Sequence, residues 1–257
     1  MRLDQYLVER GLAKSRSFAK TLITGGYVNV GDRAVRRPAH EMTDGETVTV
    51  TGVPYTYVSR GGCKLEAALD QFGIDPEGMC AIDIGASSGG FTDCLLRRGA
   101  RRVYAVDSGW GQLDPSLAQD MRVVNMERCN ARRLMPEDIG EACGLCVMDV
   151  SFISQRLILP VIPSLLDREG ILISLIKPQF ECGVTGLSKG GIVRDWRVRR
   201  EAVQAVVECA AKVDLAPAGL IPSPVLGGDG NVEFLLCCKL GAVSSVDEDK
   251  ILEVCRQ

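Results

Sequence analysis

Four short segments carry ionisable side chains where an apolar or glycine-rich context gives them no obvious structural task. Ser59-Arg60-Gly61-Gly62-Cys63-Lys64 puts a lysine at the opening of a helix, and Val147-Met148-Asp149 puts a carboxylate at the end of an apolar strand. Leu175-Ile176-Lys177 ends another strand in a lysine, while Gly230-Asn231-Val232-Glu233-Phe234 reads as a carboxylate inside an apolar strand. Two amines and two carboxylates can position a reacting group and move its proton, or they can form two plain ion pairs. Structural networks gather such groups too, so one residue alone decides nothing. Four around one cleft favour chemistry, because ligands of open α/β sheets lie at the carboxyl ends of the strands.

A second constellation lies upstream, in Asp83-Ile84-Gly85-Ala86-Ser87-Ser88-Gly89-Gly90-Phe91. A glycine-rich turn between strand and helix lets a ligand approach the backbone and the helix N-terminus. Serine at 87 departs from the G-x-G-x-x-G dinucleotide fingerprint, and an acid precedes the first glycine. The next strand ends Tyr104-Ala105-Val106-Asp107, placing an acid able to accept both hydroxyls of a ribose one βαβ unit further on. A turn serving structure alone leaves both acids unexplained. A nicotinamide-dependent oxidoreductase would need the missing glycine and a hydride-transfer histidine or tyrosine. His40, the only histidine, falls in a loop without a partner.

The elements that must position these groups alternate from residue 60 onward. Helices are expected at Lys64–Phe72, Phe91–Arg98, near Arg156–Leu166 and at Asp195–Lys212. Strands are expected at Cys80–Ile84, Arg102–Val106, Val123–Met126, Leu145–Val150, Ile171–Ile176, near Leu220 and at Val232–Cys238. The strands are continuous apolar runs, as a parallel sheet covered on both faces requires. This predicts a doubly wound α/β domain over 60–241, followed by a tail, 242–257, whose place the sequence does not give. Residues 1–52 read as a small α+β unit. Its first helix carries Leu3, Tyr6 and Leu7, a second helix spans Ser15–Thr24 with Ser15 as its cap, and strands follow at Tyr27–Val30 and Thr47–Val50 around a Gly31-Asp32 turn. A linker, 53–59, is stiffened by Pro54.

Bulk properties set the outer limits. The chain has 257 residues, 46% hydrophobic and 25% charged, as in soluble globular proteins. No apolar run reaches the roughly 18 residues of a membrane span, and the first residues lack a signal peptide's pattern, so a cytoplasmic protein is expected. Eleven cysteines are an odd number set mostly in apolar runs, where cysteine acts as a small hydrophobe. Cys143 and Cys146 form a lone CxxC with no completing ligands, so no metal is expected. Net charge is −3, yet Arg10 to Arg37 hold seven basic residues against Asp32 alone. A local basic face can bind phosphates on an acidic protein because screening limits each charge to roughly 10 Å.

Two resemblances follow from these residues. The run Arg2-Leu3-Asp4…Leu12…Ser15-Arg16-Ser17…Gly26…Val28-Asn29-Val30-Gly31 resembles the alpha-L RNA-binding module first known in a small-subunit ribosomal protein. It implies that Lys14, Arg16, Lys20, Arg33, Arg36 and Arg37 face structured RNA, with Arg2 and Arg60 added to that set. Asp83-x-Gly85 looks like a class I S-adenosylmethionine site, with Asp83, Gly85, Ala86, Ser87, Gly89, Gly90, Phe91, Asp107 and Asn130 as cofactor residues. The order Lys64…Asp149…Lys177…Glu233 resembles the Lys-Asp-Lys-Glu tetrad of FtsJ-like ribose 2′-O-methyltransferases. Together with the alpha-L module and Ser-Arg-Gly-Gly-x-Lys-Leu, it resembles the TlyA (haemolysin A) subfamily over about residues 1–240. Cys63 departs from the leucine frequent there, and the linker reads Tyr55-Thr56-Tyr57-Val58.

The resemblance implies a class I methyltransferase fold, S-adenosyl-L-methionine as cofactor and a cytidine ribose of ribosomal RNA, free or within a subunit, as substrate. A ribose hydroxyl is a poor nucleophile at neutral pH, so it must be placed in line with the methyl and relieved of its proton. Lys177 is the expected base, its pKa brought down by Lys64, with Asp149 and Glu233 holding the amines. The alternative is a non-catalytic RNA- or ribosome-binding factor that retains the fold. A pore-forming toxin, which the haemolysin name suggests, would need membrane-active segments that are not found.

Overall fold

A computed structural model describes the chain except residues 14, 44, 53–55, 184–185, 189, 228–229 and 257, and the Ser17 side chain. Lys14 and the core of the expected linker therefore lie outside the described residues. Contacts divide the chain into two compact units, Met1–Thr56 and Tyr57–Gln257.

In the first unit, α1 (Leu3–Glu9) and α2 (Arg16–Gly25) pack on a small antiparallel sheet of β1 (Val28–Val30), β2 (Arg33–Ala34) and β3 (Val48–Val50), in the order β2-β1-β3. Leu3, Leu7, Leu22, Ile23 and Val28 are fully buried between them. Ser15 caps α2 by accepting the Phe18 N–H at 3.2 Å. The two-residue β2 was not expected; a strand that short carries no periodicity to read.

The second unit is built on a seven-stranded sheet. Its strands are β4 (Cys80–Ile84), β5 (Arg102–Val106), β6 (Val123–Met126), β7 (Cys143–Met148), β8 (Leu166–Ile176), β9 (Leu215–Pro222) and β10 (Phe234–Leu240), in the order β6-β5-β4-β7-β8-β10-β9. β4 to β8 are parallel; β10 runs antiparallel between β8 and β9, so the expected parallel sheet is a mixed one. Alternation along each strand sorts the core into two layers. Ala81, Leu145, Val147 and Leu235 face α3 (Gly61–Phe72) and α4 (Gly90–Arg97). Ile82, Ile84, Cys146 and Met148 belong to the other layer, with Ile162 and Leu165.

Three short helices connect these strands: α5 (Pro115–Ala118), α6 (Pro136–Ile139) and α7 (Ile162–Leu165). The single helix expected near Arg156–Leu166 does not form. Two 3-10 turns, Gln155–Leu157 and Leu159–Val161, precede α7, because Pro160 and Pro163 lack the N–H that a continuous helix would use. Beyond β8 come α8 (Pro178–Glu181), α9 (Trp196–Ala211) and α10 (Glu248–Cys255). The segment read as a tail thus ends in a helix that packs on α9 and β9 and buries Ile251, Val254 and Cys255.

Candidate active site

Strands β4, β5, β7 and β8 end on one edge of the sheet, and their last residues hand over to Gly85, Asp107, Asp149 and Lys177. A cavity of about 440 Å³ opens there. Of the expected cofactor residues, Gly85, Ser87, Asp107 and Asn130 line it. Gly85 has a φ of +84° and no room for a Cβ, which would strike the Asp149 carbonyl. That close approach, with the Asp149 N–H donating to the Ile84 carbonyl at 2.9 Å, locks the β4 and β7 loops together.

Asp107 is held by two backbone donors, the Ser87 N–H at 2.8 Å on one oxygen and the Gly109 N–H at 2.7 Å on the other. Each oxygen keeps a lone pair for a further donor from the cavity. The Asn130 side chain accepts the Arg132 N–H and so shapes the opposite wall. Asp83, Ala86, Gly89, Gly90 and Phe91 are not on the cavity wall. Strand alternation turns Asp83 toward α4, where the Thr92 hydroxyl donates to it at 2.7 Å and its other oxygen has no hydrogen-bond partner among the described residues. Burial pushes its pKa up to about 7. Phe91 belongs to the core.

The four ionisable residues form two ion pairs. Lys177 Nζ lies 2.5 Å from Asp149 Oδ1 and donates to Ser151 Oγ at 2.9 Å. Lys64 Nζ donates to Glu233 Oε2 at 2.5 Å. Glu233 is the residue before β10, not inside it. Because Phe234 pairs with Ile176, the antiparallel ladder sets Glu233 and Lys177 side by side just past its end. Lys64 reaches Glu233 from α3, whose start is fixed by close packing: Gly62 presses against the Tyr57 ring with no space for a side chain. Tyr57 in turn donates to Glu66 at 2.7 Å.

Several contributors were not found from sequence. Buried Glu181, after Lys177, accepts from Ser154 Oγ at 2.5 Å, the Gln155 N–H at 2.8 Å and Arg156 at 3.2 Å, clamping the loop after Asp149 to the loop after Lys177. Burial raises its pKa, opposed by those donors. Asn231, 2% exposed, accepts the Val193 N–H at 2.9 Å and donates to the Gly191 carbonyl at 3.1 Å, fixing the loop that carries Glu233. Phe152 lines the cavity yet is 91% exposed, with φ +63° and its ring 5.2 Å from that of Phe180. A bulky residue in that conformation is strained by roughly 1–3 kcal/mol. Loop aromatics and single polar residues have no periodicity to betray them.

In the first unit Lys20, Arg33, Arg36 and Arg37 are exposed. Arg2 and Arg16 instead converge on fully buried Asp4, at 2.9 and 3.4 Å, and the Arg2 hydrogen bond holds its carboxyl below the usual range. The Leu-Asp string is thus partly a structural lock. Arg60 stands half-buried before α3, in the second unit. Among the described residues no cluster of three or more His, Cys, Asp or Glu side chains could hold a metal, and no helix is long and apolar enough to cross a membrane.

Residues 57–240 match the FtsJ-like methyltransferase family and residues 1–48 the S4 domain. The 16S/23S rRNA (cytidine-2′-O)-methyltransferase TlyA of Mycobacterium tuberculosis is 44% identical over 236 residues, covering 91% of this chain and 88% of the relative. Hemolysin A of Brachyspira hyodysenteriae is 42% identical over 240 residues, covering 91% and 98%. A solved structure from Streptococcus thermophilus, provisionally named a hemolysin, superposes with a TM-score of 0.81 at 39% identity, covering 100% of this chain and 94% of that one. This chain therefore belongs to the FtsJ-like methyltransferase family and carries an S4 domain at its N-terminal side.

Proposed function

We propose that the protein methylates the 2′-hydroxyl of a cytidine ribose in ribosomal RNA with S-adenosylmethionine as donor. The observation that carries this reading is that Asp149 and Ser151, both lining the cavity that Asp107 also lines, are the two residues that hold the Lys177 amine. That cavity fits the cofactor. Its size is that of small-molecule sites, Asp107 offers two fixed carboxylate oxygens to a ribose, and the Gly85 turn brings backbone against the ligand space. When bound, the cofactor supplies a methyl already activated on a sulfonium.

What remains for the chain is to orient a hydroxyl and accept its proton. Lys177 would first release a proton to solvent through the open side of its pair and then, as the neutral amine, take the proton of the hydroxyl that receives the methyl; Asp149 and Ser151 hold the amine in position. Lys64, sealed in its pair with Glu233, does not contact the hydroxyl and acts on its placement by fixing α3 against the segment that precedes β10. The exposed cations of the S4 unit, Lys20, Arg33, Arg36 and Arg37, supply phosphate contacts that position without reading sequence. The M. tuberculosis relative named above is called a cytidine-2′-O-methyltransferase, which supports the choice of target atom and base.

The test is transfer of tritiated methyl from S-adenosylmethionine to bulk ribosomal RNA lacking the modification. Incorporation approaching one methyl per target site is expected. RNA binding without incorporation would instead identify a binding factor that retains the fold.

A further inference from the structure

Arginines such as Arg98, Arg101 and Arg122 are neutralised by neighbouring carboxylates. A different population lies where α9 begins and α10 ends. Arg194, Arg197 and Arg256 are exposed, Arg199 and Arg200 half-exposed, and among the described residues none is within ion-pair distance of a carboxylate. The acids of this stretch do not answer them: Asp195 caps α9 by accepting the Arg197 backbone N–H, and Glu201 forms no ion pair.

Two of these guanidinium groups lie over one ring. The carbon of Arg197 is 5.5 Å and that of Arg256 5.1 Å from the Trp196 ring centre. Arg199 and Arg200 belong to the opening turns of α9, which packs on α10, and Arg256 directly follows α10, so these cations gather at the junction of the two helices. That junction is on the reactive edge of the sheet. Arg194 follows Val193, whose N–H is held by Asn231 two residues before Glu233, and α9 packs against α8, which directly follows Lys177.

We propose that the surface formed by Trp196 with Arg194, Arg197, Arg199, Arg200 and Arg256 is an RNA-binding site of the methyltransferase unit, gripping the substrate backbone on the cleft side of the sheet. It rests on the reading of RNA as substrate. Guanidinium forks match phosphate oxygens in bidentate geometry, and a guanidinium lying flat on an indole offers a cationic plane on which a base stacks. A net charge of −3 makes the attraction local, so it acts on the chain segment already at the cleft.

The experiment measures binding of bulk ribosomal RNA by the full-length protein over a salt series for Arg197→Glu, Arg256→Glu and Arg168→Glu. Arg168 is exposed near the start of β8, the end of that strand opposite Lys177, and makes the same charge change away from the patch. Arg197→Glu and Arg256→Glu should each weaken binding about 5- to 10-fold at moderate salt and lower the salt slope by about 1, while Arg168→Glu stays near wild type. In methyl transfer the two patch variants should raise KM for RNA with kcat and cofactor affinity within about two-fold of wild type. Arg197→Gln, expected to give the intermediate effect, serves should the glutamate variant fail to fold. Equal losses for all three sites, or none at 197 and 256, would overturn the proposal. Wild-type protein that binds RNA but transfers no methyl would instead defeat the enzymatic reading and leave the binding comparison valid.

Discussion

The two lysine–carboxylate pairs of the cleft share one chemistry and one distance, 2.5 Å, but not one environment. In the Lys64–Glu233 pair the side chains are 8% and 3% exposed, and Gly227 closes over the glutamate with no room for a Cβ. In the Lys177–Asp149 pair they are 12% and 22% exposed, Asp149 lines the cavity, and the amine is shared with Ser151. A sealed pair fixes two chain segments and cannot easily exchange partners, since each charge left alone would face a low-dielectric surround. A pair with one open side can accept a substrate hydroxyl. Residue type alone does not separate anchor from reactive group; access does.

Replacing each lysine tests that division. Lys177→Ala should lower single-turnover methyl transfer by about 10²- to 10⁴-fold while cofactor affinity, followed calorimetrically, stays within a few-fold. Near-wild-type transfer would erase the distinction. Lys64→Ala should cost about 3–5 kcal/mol in denaturant unfolding, because Glu233 is left buried without its cation. The apolar pair Lys64→Met with Glu233→Leu should recover most of that stability and none of the activity. A stability loss below about 1 kcal/mol for Lys64→Ala would show that the sealed pair anchors nothing.

Asp83 sharpens the comparison as a buried carboxyl that, among the described residues, pairs with no cation. With its folded pKa raised to about 7, against about 3.9 in the unfolded chain, the folded state holds the extra proton between those values. Its contribution is therefore full below about pH 4 and is lost as pH rises toward 7, a swing on the order of 4 kcal/mol. Asp83→Asn should remove this slope, so melting curves of the two proteins converge at low pH and separate above neutrality in favour of the variant. A difference independent of pH would contradict it. The smallest effect is expected from Ser151→Ala, which removes one hydrogen bond to Lys177 and should slow methyl transfer about five-fold, near 1 kcal/mol. A loss as large as that of Lys177→Ala would make Ser151 a partner of equal weight.

Sequence was most informative where the physics is local and repetitive. The expected bounds of β4, β5 and β6 match the structure, and long α9 is one residue shorter at each end than expected, because buried runs and helical stripes carry their own period. It was least informative where partners decide. Pro160 and Pro163 broke an apolar stretch that reads as one helix. The apolar face of α10 has meaning only against α9 and β9. At the site, strand-end acids and lysines stood out against apolar neighbours, whereas Glu181 and Asn231 work through bonds between loops far apart in sequence. Counting charges likewise marked Arg2 and Arg16 for RNA without revealing that Asp4 holds both.

The central claim concerns where the methyl goes. Purified protein, S-adenosylmethionine and unmodified ribosomal RNA should yield, after digestion to nucleosides and mass spectrometry, 2′-O-methylcytidine in amounts that track enzyme and time. Methyl found on a base instead of the ribose would contradict the assignment of the Lys177–Asp149 cleft to a sugar hydroxyl.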